Sequence, residues 1–434
     1  MAQFVIQGGT PLHGDIRLSG AKNAASKMLI ASLLTDEECV FENFPRIGDT
    51  NITRELCEAI GSRIVVEGSR LRIVTPTLST TTVGALSRRN RIPVLALGAL
   101  LGRAGEAEVP FVGGDKIGPR PIDIHIQALT QLGATITTGE QSYRATVSGR
   151  LRGANITFPY PSVGATENTI FASVFALGRT VIRNAAVEPE ILDLIKLLQN
   201  MGAIIELGTD RRIMIEGVKH LRGAHHTILP DRNEAVSFAC LAIATKGDVI
   251  VKGAVQDHLV TFLNTVRRIG AEYEVLHDGI RFWCPGSLRA AHIETDTHPG
   301  FMTDWQQPLV VALTQAKGRS VVHETVYEDR FGYAEDLNSM GARIKVGTEC
   351  LGDISCRFKD KICSHTALVE GPTELHGTEL RVRDIRAGIA HVIAALTAHG
   401  TSTIDNIEEL DRGYERVDER LRYIGAQIKR VSEN

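Results

Sequence analysis

Six times along the chain an apolar helical pattern ends in glycine and a small residue, then continues as an alternating strand. The copies read AIGSRIVV, QLGATITT, NMGAIIEL, RIGAEYEV, SMGARIKV and YIGAQIKR, with glycines at Gly61, Gly133, Gly202, Gly270, Gly341 and Gly425. Successive gaps are 72, 69, 68, 71 and 84 residues, so one α/β unit is used six times. The glycine has a mechanical reason: a helix that must stop and turn into a strand favours a residue with positive φ just past its end.

A second signal keeps step with the first. Glycine-led strands and a turn precede each of the last four helices: GRTVIRNAAVEPEILDL, GDVIVKGAVQDHLVTF, GRSVVHETVYEDRFGY and GTSTIDNIEELDRGYER. The apolar period is two in the strand and near 3.6 in the helix, so each unit reads as strand, helix, glycine stop, strands. A unit with one apolar helix stripe and one apolar sheet face cannot bury both alone, so neighbours must pack. Six units in 434 residues divide naturally into three plus three. The hydrophobic fraction is 43% with only 5% aromatic, which predicts cores built from aliphatics. A net charge of −3 argues against general nucleic-acid or membrane-surface binding. Seven scattered cysteines suit free thiols in a reducing cytoplasm. The start MAQFVIQGGT lacks the pattern of a signal peptide, and VLALGALLG is too short to span a bilayer.

Two segments read as crossovers between the halves: LSGAKNAA (18–25) and LPDRNEAV (229–236). Each carries turn formers and leads from a strand into a helix. Residues 1–19 read as strands that pair with the C-terminal half. The expected domains are therefore 20–229, and 1–19 with 230–434, with a ligand cleft between them. SGAKNAASKMLIAS sets Lys22 and Asn23 at a helix start, where anions are attracted. VPFVGGDKIGPRPIDIH packs Gly113, Gly114, Gly118, Pro119 and Pro121 around Asp115 and Arg120, the composition of a loop (111–121) that closes over a substrate. It lacks the ending of a Walker A loop. Asp304 precedes an apolar helix, as a cap or as a functional carboxylate. Arg330, Arg386 and Arg412 fall at strand-to-helix turns of the C-terminal half, at equivalent places in successive repeats, so they could converge. Cys350, Cys356, Cys363 and His365 have spacings unlike the usual zinc sites and lie on strand-like segments, which predicts no metal there. His225 and His226 sit on a strand, with solvent exposure the default.

Together these segments resemble the enolpyruvyl transferases over essentially the full length. The matching motifs are SGAKNAA, GGDKIGPRPIDIH, SVGATEN, NAAVEPEILDL, LPDRNEA, PGFMTDWQQP, YEDRFGY, DIRAG and DRGYERVDERL. The branch that uses shikimate 3-phosphate carries serine-lysine-serine where this chain has Ala21-Lys22-Asn23, so the branch that uses UDP-N-acetylglucosamine fits better. The resemblance implies an α/β fold of two inside-out barrels, each of three βα units. It implies transfer of the enolpyruvyl group of phosphoenolpyruvate to the 3′-hydroxyl of UDP-N-acetylglucosamine, in peptidoglycan precursor synthesis in the cytoplasm. No metal or organic cofactor is implied, and oligomeric state is left open. Phosphoenolpyruvate is a small, dense anion whose two ends need separate cationic clamps, and guanidinium forks suit both. By resemblance, Lys22, Arg120 and Arg412 hold its phosphate, and Arg330 and Arg386 its carboxylate. The resemblance implies that Asp304 takes the hydroxyl proton, and Asp115 is expected to serve as a proton donor or shuttle. Asn23, Arg91 and Val326 lie near the sugar, and Glu188 supports the cleft. Pro121, Ile122, Asp123 and Ile124 line the uracil site, and Ser162, Val163 and Gly164 meet the diphosphate. Position 115 is aspartate where many members carry the cysteine that fosfomycin alkylates. The alternatives are an enolpyruvyl transferase for another uridine nucleotide such as UMP, and a non-catalytic nucleotide sensor.

Overall fold

The computed structural model describes residues 2–432 except 85, 88–90, 112, 114–121 and 355. The described residues fall into two compact units, one of residues 2–19 and 230–432, the other within 20–229. Both are built from the same module, used three times in each. A module runs: short strand, buried helix, strand, outer helix, glycine, and a closing pair of strands.

The sheets follow from that order. In the 20–229 unit, Asn155–Thr157 pairs parallel with Arg179–Arg183, which pairs antiparallel with Arg212–Glu216, and Ile204–Gly208 closes the edge. The same four-strand order recurs with His225–Thr227, Cys39–Glu42, Arg70–Val74 and Arg63–Glu67. In the other unit it recurs with His13–Arg17, Asp248–Lys252, Gly279–Trp283 and Glu272–Leu276, and with His292–Glu294, Gly318–His323, Thr366–Gly371 and Arg343–Gly347. The last module is completed by the chain's own beginning. Ala2–Gln7 inserts between Thr401–Asp405 and Gln427–Ser432, antiparallel to both, with Phe4 opposite Ile404 on one side and Arg430 on the other.

The outer helices are amphipathic, and each is followed by one of the six repeat glycines. Their φ values are +120° at Gly61, +97° at Gly133, +105° at Gly202, +84° at Gly270, +106° at Gly341 and +99° at Gly425, a region that a side chain disfavours. At Gly341 there is a second constraint: a Cβ would stand 2.7 Å from the Glu374 carbonyl oxygen.

Each module thus holds one helix more than the repeat pattern alone suggests; the helices expected at Lys22, after 229–236 and after Asp304 are three of these extra helices. The second helix is buried and carries no polar face. Pro93–Ala104 is buried from Pro93 through Leu101, Ile385–Thr397 from Ile385 through Leu396, and Arg232–Ala244 at every position. A helix surrounded by apolar neighbours has no 3.6-residue stripe to read. These helices form the centre of each unit's core, with Phe238, Leu309 and Ile393 fully buried in one and Met28, Leu97 and Ile170 in the other.

Two expectations are corrected. His226 is buried, with Nε2 3.1 Å from Asp193 Oδ1, while its neighbour His225 is exposed. Cys350, Cys356, Cys363 and His365 are not on strands; they lie in the long connection between Arg343–Gly347 and Thr366–Gly371.

Candidate active site

The unit of residues 2–19 and 230–432 gathers three of the candidate residues at one point. Asp304 sits on a 3-10 turn, Thr303–Trp305, that leads into the buried helix Gln306–Thr314. It is the cap residue of neither segment; its carboxylate instead receives two guanidinium groups. Arg330 Nη2 lies 2.6 Å from Oδ1 and Arg386 Nη2 lies 3.2 Å from Oδ2. The arginine side chains are 4% and 7% exposed and the aspartate 20%, so the carboxylate is the part of the cluster that faces water.

Each arginine is fixed from behind. Arg330 follows Asp329, which has a φ of +50° in the turn after the strand Gly318–His323. Its guanidinium lies over the Tyr327 ring at 4.9 Å, and the Gln307 amide oxygen, turned toward it, accepts from Nε at 2.8 Å. Arg386 lies in the first turn of Ile385–Thr397, a helix capped by Asp384, which accepts from the Arg386 and Ala387 amides. Its Nη1 donates to the Tyr414 hydroxyl at 3.0 Å, and that hydroxyl shares a 2.8 Å bond with Ser237 Oγ. Burial opposes the charge of Arg330, but Asp304 and Glu324 outweigh it and the pKa rises. Arg386 is raised as well: burial works against it, and Tyr414 and Asp304 prevail. Burial pushes Tyr414 up to about 12, so it stays a neutral hydroxyl beside the guanidinium.

Glu324 is the anchor beneath Val326 and Arg330. Fully buried, its carboxylate accepts from Thr295 and Thr303 and from the backbone amides of Val326 and Tyr327. Burial raises its pKa, against the pull of Arg330. Arg412, at the end of the short helix Glu408–Asp411, pairs with Glu409 at 2.8 Å and is itself buried. Sequence reasoning missed Glu324, Gln307, Ser237 and Tyr414. Tyr414 stands two residues past Arg412 in DRGYER, and only the fold reveals that its hydroxyl serves Arg386.

The 20–229 unit carries the remaining described candidates. Lys22 is the first residue of the helix Lys22–Ser32 and pairs with the buried Asp49 at 2.9 Å; the half-buried Asn23 follows it. Ser162 caps the helix Val163–Ser173 by accepting from the Ala165 amide. Gly164 in its first turn presses on His125, where a Cβ would stand 3.1 Å from Cε1. His125 belongs to the helix Asp123–Gln131, which Ile122 precedes and Asp123 and Ile124 begin. The helix starts at Ile122–Ile124 and Ser162–Gly164 are therefore neighbours, and their amide ends suit an anion. His125 is held neutral: burial and the charge of Arg91 depress it to about 3, and its Nδ1 lies 3.2 Å from the Asn168 amide. Arg91 is half-buried just ahead of the helix Pro93–Ala104, and Glu188 is the buried cap residue of Pro189–Asn200. Asp115, Arg120 and Pro121 lie outside the described residues.

Comparison with known proteins identifies the family. The family model described as EPSP synthase (3-phosphoshikimate 1-carboxyvinyltransferase) matches residues 6–421. The UDP-N-acetylglucosamine 1-carboxyvinyltransferase of Protochlamydia amoebophila is 49% identical, over 99% of this chain and 94% of its own. That of Chlamydia abortus is 46% identical, over 100% and 99%. Among solved structures, the enolpyruvyl transferase NikO from Streptomyces tendae superposes with a TM-score of 0.87 at 23% identity, covering 100% of this chain and 99% of that one. EPSP synthase from Acinetobacter baumannii gives 0.73 at 18%, with both chains fully covered. The fold is thus that of the enolpyruvyl transferases, and the chain belongs to that family, in the branch of the UDP-N-acetylglucosamine 1-carboxyvinyltransferases.

Proposed function

We propose that the protein transfers the enolpyruvyl group of phosphoenolpyruvate to the 3′-hydroxyl of UDP-N-acetylglucosamine and releases phosphate, the reaction that commits the nucleotide sugar to peptidoglycan. The observation that carries the reading is the Asp304 carboxylate lodged in the forks of Arg330 and Arg386. Buried arginines with one water-facing carboxylate between them are a site built for carboxylate exchange. The carboxylate of phosphoenolpyruvate takes over both forks, and Asp304 is released to act on the sugar hydroxyl.

The steps then balance. A proton is added to the methylene carbon of phosphoenolpyruvate, with Asp115 as donor. The 3′-oxygen bonds to the resulting cationic carbon while Asp304 accepts its proton, giving a tetrahedral ketal. Loss of a methyl proton and of phosphate restores the double bond as an enol ether. Lys22, Arg120 and Arg412 hold the phosphate through both stages. Asn23, Arg91 and Val326 position the sugar, Pro121 to Ile124 take the uracil, and Ser162 to Gly164 meet the diphosphate. Glu324 and Tyr414 are positioning residues, one holding the Val326–Arg330 segment and the other the Arg386 guanidinium.

The test is phosphate release from phosphoenolpyruvate with a panel of uridine nucleotides. Release with UDP-N-acetylglucosamine is the expected result. Release with UMP alone would move the protein to a different acceptor, and binding without release would make it a sensor. Among the described residues no helix is long and apolar enough to cross a membrane.

A further inference from the structure

The longest gap between repeat glycines, 84 residues against 68–72 elsewhere, belongs to the last pair, Gly341 and Gly425. The excess lies in the connection between Arg343–Gly347 and Thr366–Gly371. In the four other modules whose closing strands are consecutive in the chain they are joined by short turns, as from Glu67 to Arg70 and from Leu276 to Gly279. Residues 348–365 form no helix or strand where described. A connection of that length without secondary structure needs something to hold it.

Its cysteines and histidine are placed to supply that. Cys350, Cys356 and His365 meet His323, from the end of the strand Gly318–His323, with ligand atoms all within 4.8 Å of one another. Cys350 Sγ and His365 Nε2 are 3.4 Å apart. Zinc bonds of about 2.3 Å to sulfur and 2.0 Å to nitrogen put tetrahedral ligand atoms roughly 3.3–3.8 Å from one another, so only a small contraction is required. Spacing in sequence hid the set because its fourth member, His323, comes from a strand outside the connection.

The surroundings of both histidines point to a ligand. His323 and His365 have no exposed surface. Among the described residues neither nitrogen of His323 has a hydrogen-bond partner; Glu294 Oε2 is 3.5 Å from Nδ1. Glu294 is itself held by the Asp353 and Ile354 amides. His365 Nδ1 is 2.9 Å from the Cys363 carbonyl, which directs Nε2 toward Cys350. A carboxylate or carbonyl on the far nitrogen is how zinc-binding histidines are oriented. Gly352 permits the approach: a Cβ there would fall 2.0 Å from Glu294 Oε2 and 2.3 Å from His323 Nδ1.

We propose that His323, Cys350, Cys356 and His365 bind a structural zinc ion that staples residues 348–365 to the strand Gly318–His323. Two sulfurs and two imidazoles in a closed tetrahedral set match zinc among the common ions. Both cysteines bind as thiolates, so uptake at neutral pH releases two protons. Cys363 contributes its carbonyl to His365 and is not a ligand. The ion sits beside Glu324, the next residue after His323, and so braces the frame under Arg330.

The experiment is metal analysis of full-length protein purified with reductant and without chelator, followed by replacement with cobalt(II). The expected result is about one zinc per chain, falling to about a tenth or less in Cys350→Ser and Cys356→Ser but kept in Cys363→Ser. Cobalt(II) should give the intense visible bands of a tetrahedral thiolate site, absent from the first two variants. Zinc should also slow hydrogen exchange across 348–365 in the unmodified chain, a readout independent of how the variants fold. Three results would overturn the proposal: substoichiometric zinc with a pale octahedral cobalt spectrum, zinc retained by Cys350→Ser, or a Cys350–Cys356 disulfide trapped by alkylation in reduced lysate.

Discussion

Asp304 could have been a helix cap. Its bonds to Arg330 and Arg386, and the absence of a capping role, remove that reading. Asp304→Asn should lower turnover by about 10²–10⁴-fold, the usual worth of a general base, while nucleotide affinity by calorimetry changes little. Near-normal turnover would show that the carboxylate only neutralises its arginines. Arg330→Lys should raise the KM for phosphoenolpyruvate about tenfold or more, because a lysine cannot meet a carboxylate and the Gln307 oxygen with one planar fork. An unchanged KM would remove Arg330 from the substrate. Position 115 carries a carboxylate in place of a thiol. A carboxylate is a far poorer nucleophile than a thiolate toward an epoxide, so the unmodified chain should resist fosfomycin, and Asp115→Cys should acquire time-dependent inactivation. A covalent mass increase on the 111–121 peptide of the unmodified chain would refute this.

At the scale of elements, the glycine stops were legible because they are a local requirement: positive φ at a helix end leaves a mark in one position. Gly425→Ala faces open space and should cost about 1–2 kcal/mol for backbone conformation alone. Gly341→Ala meets the Glu374 carbonyl besides and should cost more by urea denaturation; equal losses would mean that the contact relaxes freely. The buried helices were not legible as a separate class, since segments such as VLALGALLG carry no polar face to set a period. Such helices also hide polar groups. Glu167, within Val163–Ser173, is 1% exposed, with Oε2 making no hydrogen bond and Lys27 3.9 Å from Oε1. Burial pushes it up to about 8 despite Lys27, from an ordinary value of 4.5. The folded state therefore keeps a proton that the unfolded chain gives up over that interval. Stability should fall as pH rises from about 4.5 to about 8 and level off beyond. Glu167→Gln should flatten the fall; an unchanged pH profile would show that Glu167 is ionised in the fold.

For the whole molecule, repetition made the architecture readable and convergence made the site hard to read. Three arginines at equivalent turns announced a cluster; among the described residues Arg330 and Arg386 share the Asp304 carboxylate, and Arg412 pairs with Glu409. The groups that orient them, Glu324 six residues before Arg330 and Tyr414 two residues after Arg412, stand inside quoted segments, but nothing in those segments tells which arginine each one serves. The metal-ligand set escaped for the same reason, since His323 and Cys350 meet only after a sheet has formed. The central claim is a bond made at one oxygen of one nucleotide sugar. Its most direct test is an NMR spectrum of the product formed from phosphoenolpyruvate and UDP-N-acetylglucosamine. The account predicts a vinylidene group on the 3′-oxygen, with one phosphate released per product, and its loss in Asp304→Asn. Unaltered nucleotide sugar after prolonged incubation with folded protein, or an enolpyruvyl group formed only on another uridine nucleotide, would contradict it.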